Sequence, residues 1–524
     1  MKKEWLWTGI LLFVISFVAC KKDTKNPDDG TIKPPQTSKT YEMDAFENLV
    51  KDSVFYYTKL FSLWQDQLPP KNINDLQQEG YMRQNYTRYF ERGENVLDWM
   101  ASLPKDAKGK SIDRFSFLDR EGVVSGEIQD AVATSFGMYV FYLQTENSGN
   151  NAYLFVRMVD KGSPADQAGI ERGDRIISIN GNTKIDYDSQ AAKDFEEIND
   201  YLSAGSLTIK FAKPSGTIIE KDITSIQYNL DPILDYRVLP VNSKKVGYLA
   251  FSSFVSITKK VNEQTVNTAM YSRFEDIFNY FQSQGIDELI VDLRYNGGGA
   301  TVTAEYLADW IIPTSANGKL MYRYEINSFL KGLGWHRDPD GFAPIYVAKK
   351  GTINLPRVYF LVTKGTASAS ELLINSLKPY MSVYMIGTYA VDDNNKQVAE
   401  NTYGKPVGFF EWKIVTDDIG LYATSFQMFN SKDEGNYFDG LTPNAHVWEF
   451  ATGKFLDFGD PSEAMLSSAL NHIKSGSFTS ASSRMAIASS GKVLTSRPKV
   501  KAGIRENTWR NNMFKFQDKD IKIR

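Results

Sequence analysis

Residues 231–475 alternate between short apolar runs and longer segments with helical periodicity, and this alternation restricts the possible folds most. The apolar runs Val246–Phe251, Leu289–Leu293 and Val358–Thr363 have the length and composition of buried strands. Between the first two runs, apolar residues recur at helical spacing from 274 to 281. Strands that alternate with helices predict an α/β core with a parallel sheet, in which catalytic groups gather at the carboxyl ends of the strands.

Composition excludes several classes of protein. The chain has 524 residues, which suggests about three domains. Its formal net charge is −3, so we expect no nucleic-acid partner. The single cysteine, Cys20, allows no internal disulfide or cysteine cluster, and only three histidines are present. We therefore expect no metal and no cofactor, and a catalytic scheme that makes little use of imidazole.

The single cysteine follows a segment typical of a secretion signal. Two lysines precede an uncharged stretch, Trp5–Ala19, that is too short for a typical membrane-spanning helix. The letters FVAC at its end resemble the bacterial lipobox, in which cleavage exposes a cysteine that becomes lipidated. We expect residues 1–19 to be a signal peptide and Cys20 to anchor the protein to a membrane through residues 20–40 as a linker. This predicts the bacterial cell envelope, at the periplasmic face or the outer membrane; the alternatives are a plain signal peptide or an uncleaved anchor.

Two other regions carry no catalytic motif. Residues 41–120 show helical spacing of apolar residues, which predicts an N-terminal helical domain. Residues 476–524 are serine-rich and then basic. For them we favour a loosely ordered tail, with a segment that packs back on the core as the alternative.

Residues 121–230 combine strand-like runs with one long, specific motif. The letters GSPADQAGIERGDRIISING, at 162–181, closely resemble part of a PDZ domain. The resemblance implies a loop whose backbone N–H groups bind the terminal carboxylate of a peptide, which adds as a strand to the next strand of the domain. By position, the residues of this loop are Phe136, Gly137, Met138 and Tyr139. A helix from about Ser189 to Leu202 would form the other wall of the groove; the alternative is a PDZ fold that only clamps two domains together.

Three segments of the α/β core place small or reactive residues near predicted strand ends. DLRYNGGG (292–299) runs from a strand into three glycines, whose N–H groups can approach a substrate closely. GTASASE (365–371) leads from a strand into a helix, where backbone amides can stabilise an oxyanion. TYGK (402–405) contains a lysine that becomes a neutral base only when buried. Taken singly, each segment also has a structural interpretation, such as a helix cap at Ser368 or Ser370.

In this order, after a PDZ module, the three segments resemble the C-terminal processing peptidases, also called the tail-specific protease family. The letters DRFSFL, before the PDZ module, match a further segment of that family. Carried over by position, the resemblance implies a Ser–Lys dyad with Ser368 as the nucleophile and Lys405 as the general base. The oxyanion-hole donors that it implies are Ala369, Gly299 and, as the near alternative, Gly298.

Two departures from the family pattern concern the lysine. The spacing from the serine to Lys405 is longer than usual, because a polar insertion occupies about residues 389–401. This insertion makes Lys396 a competing candidate for the base. Position 409, where the family often has a glutamine that orients the lysine, is Phe409.

The remaining polar residues of these segments carry weaker signals. Glu371 lies one turn beyond Ser368 and is expected to serve the helix N-terminus. We expect Asp292 and Arg294 to be structural. His446 is the weakest alternative for a catalytic base.

The sequence thus predicts a multidomain α+β protein. Its parts are an N-terminal helical cap, a PDZ domain (a β-sandwich or barrel with helices) at 121–230, and an α/β peptidase core of the ClpP/crotonase-like type at 231–475. The implied function is an envelope serine endopeptidase that cleaves proteins or peptides recognised through their free C-termini. The alternative is a catalytically silent PDZ-containing lipoprotein that acts as a peptide-binding or scaffold protein.

Overall fold

The computed structural model describes residues 32–35, 40–41, 43–144, 151–262, 264–391, 396–450, 455–478, 499–501, 503–504 and 512–515. The predicted signal peptide, Cys20 and most of the predicted linker lie outside the described residues. Within the described ranges, none of the helices combines the length and the apolar composition needed to cross a bilayer.

The N-terminal part of the chain is helical, as the apolar spacing predicts. Its α-helices are α1 (Ala45–Phe61), α2 (Tyr81–Asn85) and α3 (Gly93–Ser102). Helix α1 begins after Asp44, whose carboxylate accepts a hydrogen bond from the backbone N–H of Glu47 at 2.8 Å. Its buried face, which includes Val50 and Val54, belongs to the same apolar cluster as the α/β core. A short strand, β1 (Phe117–Asp119), then pairs with a strand of that core.

The next part of the chain forms an antiparallel sheet with short helices. Its strands are β2 (Val132–Ser135), β3 (Met138–Gln144), β4 (Tyr153–Val159), β5 (Arg175–Ile179), β6 (Ser206–Ala212), β7 (Ile218–Thr224) and β8 (Ile226–Asn229). Its helices are α4 (Pro164–Gln167), α5 (Tyr187–Ala191) and α6 (Glu196–Leu202). Strands β3 to β7 pair in chain order, and β2 pairs with β8. The single helix predicted from about Ser189 to Leu202 is wrong: Asp194 and Phe195 take positive φ angles and separate α5 from α6.

The rest of the chain is the predicted α/β core. Its strands are β9 (Ile233–Val241), β10 (Lys244–Phe251), β11 (Thr258–Val261), β12 (Gln264–Asn267), β13 (Glu288–Asp292), β14 (Gly299–Ala300), β15 (Leu320–Ile326), β16 (Ile345–Tyr346), β17 (Arg357–Leu361), β18 (Ser382–Val391), β19 (Gln397–Ala399), β20 (Val407–Gly408), β21 (Trp412–Lys413), β22 (Gly420–Tyr422), β23 (Phe426–Asn430) and β24 (Ala445–Val447). Its helices are α7 (Ala269–Gln284), α8 (Thr301–Ile311), α9 (Ser328–Gly332), α10 (Ala369–Leu377) and α11 (Ala464–Ser475).

The main sheet of this core has the order β19-β18-β17-β13-β10-β9, with β24 beside β18. Strands β10, β13, β17, β18 and β24 run parallel, as the alternation of strands and helices predicts. Successive side chains of a strand point to opposite faces. Phe360 therefore packs on the face of the sheet that α7, α8 and α10 cover, whereas its neighbour Tyr359 packs on the opposite face, against α11. The sheet is thus covered on both faces, and the loops at its strand ends carry the candidate site.

Asp292 and Arg294 are structural, as expected. Arg294 is buried and pairs with Asp292 at 2.6 Å and with Glu463 at 2.9 Å. Glu463 also accepts hydrogen bonds from the first backbone N–H groups of α11, so this buried network joins the end of β13 to that helix.

The C-terminal residues that the structure describes form two further strands, β25 (Lys499–Lys501) and β26 (Met513–Phe514). Strand β25 pairs with β3, and β26 pairs with β14. For these residues the favoured prediction of a loosely ordered tail is wrong, because their backbone groups complete sheets of the body of the protein. The alternative, a segment that packs back on the core, describes β26.

Candidate active site

Ser368 lies at the turn between strand β17 and helix α10, with its side chain fully buried. Its backbone has φ 64° and ψ −114°, a conformation that is strained for a residue with a side chain. Such a turn presents the side chain at the start of a helix, beside backbone N–H groups that have no partner within the helix. Among the described residues, Ser368 Oγ has no hydrogen-bond partner. The hydroxyl is therefore not engaged by another side chain or by a backbone group of the described residues.

The glycine loop after strand β13 is tied to the serine turn by the side chain of Asn296. Asn296 Oδ1 accepts hydrogen bonds from the Gly298 N–H at 3.0 Å and from Ser370 Oγ at 3.1 Å. Asn296 Nδ2 donates to the carbonyl oxygen of Phe251 at 2.9 Å. This buried amide thus connects β10, the glycine loop and the first turn of α10.

The two glycines predicted as alternative oxyanion donors have different roles in the structure. A Cβ atom at Gly298 would lie 2.8 Å from Ser368 Cβ and 3.0 Å from the nitrogen of Ala369, so only glycine fits there. The Gly298 N–H already donates to Asn296, whereas the Gly299 N–H donates to the carbonyl oxygen of Asn512 at 2.8 Å. Of the two glycines, Gly299 is therefore the one whose N–H donates to the carbonyl oxygen of another segment of the chain. The other predicted donor, Ala369, is the first residue of α10.

Lys405 precedes strand β20, and its side chain has no exposed surface. Burial lowers the pKa of its amine well below the ordinary value, and the carboxylates of Asp113 and Glu371 oppose this shift. The Nζ atom lies 4.1 Å from the ring centre of Phe409 and 4.8 Å from that of Phe115. Phe409, in place of the expected glutamine, thus gives the amine an apolar wall rather than a hydrogen bond. A lysine in these surroundings loses its proton more readily than one in water, as a general base must.

Glu371 joins the serine and the lysine through one buried carboxylate. Its Oε2 atom accepts hydrogen bonds from the backbone N–H of Ser368 at 2.9 Å and of Lys405 at 2.8 Å. The two backbone nitrogens are therefore no farther apart than the sum of these distances. Its Oε1 atom accepts from the Gly404 N–H at 2.8 Å and from the hydroxyl of Thr402. Burial raises the pKa of Glu371, and the four donors oppose that rise because they stabilise the charged form.

The segment DRFSFL braces the loop that carries Lys405. Arg114 Nη2 donates to the carbonyl oxygens of Gly404 at 3.1 Å and Phe438 at 3.0 Å. The neighbouring carboxylate, Asp113, is buried and accepts a hydrogen bond from Ser116 Oγ at 2.7 Å. This segment lies before the PDZ motif in sequence, yet it contacts the loop that carries Lys405, which lies after that motif.

The competing bases lie in different surroundings. Lys396 is exposed, whereas Lys405 is fully buried. His446 Nε2 lies 3.0 Å from the carbonyl oxygen of Glu400, beside strand β18. Of these three candidates, only Lys405 has the desolvated amine that base catalysis by lysine requires.

The structure brings Ser368 and Lys405 into one buried site, but the lysine amine is directed elsewhere. Lys405 Nζ donates to Asn512 Oδ1, whereas Ser368 Oγ has no partner in the described part of the chain. Asn512 lies 107 residues beyond Lys405 in the sequence. Nothing in the local sequence around Asn512 pointed to the site, because its place there depends on a long-range strand pairing.

The predicted peptide-binding loop lies at the start of β3. The carbonyl oxygen of Phe136 accepts from the Ala165 N–H at 2.9 Å. Gly137 has φ 73°, and its N–H donates to Ser135 Oγ at 3.0 Å, so this N–H is already engaged. A cleft of about 550 Å³ runs from this loop to the glycine loop of the core. Its lining includes Phe136, Gly137, Met138, Tyr139, Tyr295, Gly297 and Gly365.

Arg172, within the PDZ motif, fastens this domain to the core. Its Nη1 donates to the carbonyl oxygen of Arg157 at 2.7 Å, inside the domain. Its Nε donates to the carbonyl oxygen of Leu456 at 3.1 Å, and its Nη2 pairs with Glu449 at 3.3 Å. The domain therefore has a buried polar attachment to the core, which is what the clamp alternative requires.

Comparison with known families confirms the two resemblances. Residues 245–447 match the profile described as Peptidase family S41, and residues 155–213 match that of a PDZ domain. A putative S41 protease from Bacteroides fragilis has the same fold: its crystal structure matches with a TM-score of 0.60 and 22% identity, over 85% of this chain and 99% of that chain. The predicted multidomain α+β fold with a PDZ domain and an α/β peptidase core is therefore confirmed.

Two proteins of related sequence are named as carboxyl-terminal-processing peptidases. A carboxyl-terminal-processing protease of Picosynechococcus is 27% identical over 268 residues, which cover 50% of this chain and 53% of that protein. The chloroplastic carboxyl-terminal-processing peptidase 3 of Arabidopsis thaliana is 25% identical over 237 residues, which cover 45% of this chain and 41% of that protein. The chain thus spans about half the length of these relatives.

Proposed function

We propose that this chain, which carries a peptidase family S41 domain beside a PDZ domain, is a serine endopeptidase with Ser368 as its nucleophile and Lys405 as its base. The observation that supports this most is the shared carboxylate oxygen of Glu371, which binds the backbone N–H groups of both residues. Both side chains are fully buried, and Ser368 lies between the end of a parallel strand and a helix N-terminus. This is where an α/β fold collects its reactive groups.

The proposed chemistry is acyl transfer followed by hydrolysis. The neutral amine of Lys405 takes the proton of Ser368 Oγ as that oxygen attacks the scissile carbonyl carbon. The N–H groups of Gly299 and Ala369 stabilise the oxyanion, where the loss of one such donor costs about 100-fold to 1,000-fold in kcat. The protonated lysine then gives its proton to the leaving amine. Water, activated by the same lysine, hydrolyses the ester on Ser368 and restores the enzyme.

We propose that the substrates are proteins or peptides presented by their C-termini to the PDZ domain. Three features support this: the loop from Phe136 to Tyr139 at the start of β3, the cleft that joins it to Gly297, and the names of the curated relatives. In strand addition to a sheet edge, the affinity comes from main-chain hydrogen bonds, which any extended segment can form. Such an enzyme would therefore accept many unfolded C-terminal segments.

The test of the dyad compares cleavage of an unfolded protein by the wild-type chain with cleavage by Ser368→Ala and Lys405→Ala. Both variants should lose cleavage. Ser376→Ala is the matched control, because Ser376 lies in the same helix and is buried, and its Oγ has no partner among the described residues. Lys396→Ala is the control for the exposed lysine. Unchanged cleavage by both dyad variants would refute the assignment, whereas no cleavage by any form would favour the catalytically silent binding protein.

The location of the protein is a separate proposal. We propose lipid anchoring at Cys20 in the cell envelope, supported by the apolar stretch before the chain's single cysteine and the polar segment after it. Expression of the full chain in a bacterium, followed by membrane fractionation and mass spectrometry, tests this. Cys20→Ser should move the protein to the soluble fraction. A wild-type chain that is soluble and unmodified at Cys20 would contradict the proposal.

A further inference from the structure

The C-terminal part of the chain occupies the peptide-binding edge of the PDZ domain. Strand β25 pairs antiparallel with β3, with Lys499 opposite Gln144 and Lys501 opposite Tyr142. Strand β3 follows the predicted carboxylate-binding loop, and it is the edge to which a peptide ligand would add. The chain's own residues therefore lie along this edge.

The next described residues enter the groove between β3 and α6. Asn199 Nδ2, on α6, donates to the carbonyl oxygen of Gly503 at 3.0 Å. A Cβ atom at Gly503 would lie 2.6 Å from Cδ1 of the Phe195 ring, so the backbone runs close to the groove wall. Ile504 packs against the PDZ core and lines the cleft that leads to the glycine loop.

A second C-terminal segment, residues 512–515, lies as a strand in the catalytic cleft. The Gly299 N–H donates to the carbonyl oxygen of Asn512 at 2.8 Å, and the Phe409 N–H donates to that of Met513 at 2.9 Å. The Lys515 N–H returns a hydrogen bond of 2.9 Å to the carbonyl oxygen of Phe409. The segment is thus held on both sides, by the glycine loop and by the strand that follows Lys405.

The side chains of this strand are also held in the cleft. Met513 and Phe514 are 0% and 1% exposed. The Phe514 ring centre lies 6.1 Å from that of Phe409 and 5.4 Å from that of Tyr422. Two large apolar side chains that lose almost all contact with water stabilise such an association strongly. The cleft therefore encloses an aromatic side chain two residues after the carbonyl that contacts Gly299.

Asn512 combines a substrate-like and an inhibitory contact. Its carbonyl oxygen accepts from Gly299, the predicted oxyanion donor, as the carbonyl of a scissile bond would. Its side-chain oxygen accepts from Lys405 Nζ, and Ser368 Oγ has no partner in the described part of the chain. While this contact persists, the amine is held away from the serine proton that it must remove.

We propose that residues 499–501, 503–504 and 512–515 are an intramolecular ligand of this enzyme, which occupies the PDZ edge and the catalytic cleft and must be displaced by a substrate. This inference rests on the proposed function, because it takes the cleft beside Ser368 as the substrate site. A tethered ligand acts at a high effective concentration, so it competes well with peptides that arrive from solution. The ligand class is an extended peptide with an aromatic residue at the position of Phe514.

The first test measures binding and does not depend on catalysis. The probe is a fluorescent peptide with the sequence of residues 509–517, WRNNMFKFQ, and every protein carries Ser368→Ala. Deletion of residues 512–524, or Phe514→Asp in the full chain, should tighten binding of the probe at least tenfold relative to the unaltered tail. Tyr346→Asp is the matched control, because Tyr346 is 58% exposed on another sheet and should leave binding unchanged. Thermal unfolding establishes that the variants fold.

The second test measures cleavage of an unfolded protein with Ser368 restored. The form without residues 512–524 should cleave at least tenfold faster than the full chain, and the WRNNMFKFQ peptide should inhibit it, whereas a scrambled peptide should not. Equal probe binding by the full chain and both tail variants would overturn the intramolecular ligand. Tighter binding without cleavage by any form would support the ligand and remove the proposed peptidase activity, so the two failures are distinguishable.

Discussion

Replacing Glu371 by glutamine tests whether one buried carboxylate positions both halves of the proposed dyad. Oε2 of Glu371 accepts from the N–H groups of Ser368 and Lys405, and Oε1 accepts from Gly404 and Thr402. Glutamine offers one oxygen and one NH₂ group, so in either orientation two buried donors would face another donor. Each donor left without an acceptor costs about 1–3 kcal/mol. The free energy of unfolding should therefore fall by roughly 2–6 kcal/mol.

The Glu371→Gln substitution should also lower kcat while leaving KM nearly unchanged. A shift of reacting groups by about 1 Å lowers rates roughly 100-fold, so we expect a loss of this size in kcat. KM should change little, since Glu371 is fully buried beneath the cleft. The assays are urea unfolding and steady-state hydrolysis of a fluorogenic peptide. Asp44→Asn is the control: it also converts a carboxylate at a helix N-terminus to an amide, but asparagine caps as well as aspartate, so stability and kcat should hardly change.

The result that refutes the reasoning is a Glu371→Gln enzyme with the wild-type kcat. If its stability fell while kcat was retained, Glu371 would serve only the fold and would not position the dyad. If both were unchanged, the shared carboxylate would contribute nothing that an amide cannot replace.

Three further predictions concern the lysine, the glycine loop and the PDZ loop. Lys405→Met should raise the free energy of unfolding at neutral pH, because burial lowers the pKa of Lys405; the gain is about 1.4 kcal/mol for each unit between 10.5 and either the folded pKa or the assay pH, whichever is higher. In urea unfolding this gain should shrink as the pH approaches 10.5, where the unfolded lysine also loses its proton. Gly299→Ala should lower kcat by roughly 100-fold in steady-state assays, because a Cβ there would collide with the carbonyl group of Phe254 and displace the oxyanion donor. Gly137→Ala should weaken binding of a peptide with a free C-terminus by at least roughly tenfold in fluorescence anisotropy, because its Cβ would collide with Ser163.

Each of these predictions has a control within the chain. Gly205→Ala is the control for both glycine variants, because a Cβ at Gly205 meets no atom within 4 Å. Lys405→Arg should destabilise the protein, since arginine keeps its charge when buried. A Lys405→Met variant less stable than the wild type at neutral pH would contradict the lowered pKa. Wild-type peptide binding by Gly137→Ala would show that the predicted loop is not the peptide site.

Local sequence was sufficient for the architecture of the two main domains. The alternation of apolar runs and helical spacing predicted the parallel sheet, because burial on both faces demands such strands and each helix leaves its own short-range period. The PDZ motif and the order of the three core segments predicted a PDZ domain and a peptidase domain, and residues 155–213 and 245–447 match the profiles of these two kinds of domain. The assignment of Ser368 and Lys405 as the reacting groups stays a prediction.

Sequence patterns were weaker where a segment depends on its neighbours in space. Helix α5 ends before α6 because Asp194 and Phe195 take positive φ angles, and Phe195 packs against Tyr142 and Tyr187. Similarly, the serine-rich composition near the C-terminus favoured a loosely ordered tail. Strand pairing depends on main-chain groups, so composition alone could not exclude that the tail completes two sheets.

What the sequence by itself determined is the kind of molecule: a helical cap, a PDZ domain and an α/β peptidase core with a serine and a lysine near strand ends. Only the tertiary structure decided how these groups are held. It separated the roles of Gly298 and Gly299, showed that Glu371 binds both Ser368 and Lys405, and placed Asn512 against the lysine amine. The reason is that hydrogen bonds and desolvation depend on which atoms meet in space. Residues 107 positions apart leave no mark of such a meeting in the local pattern of either segment.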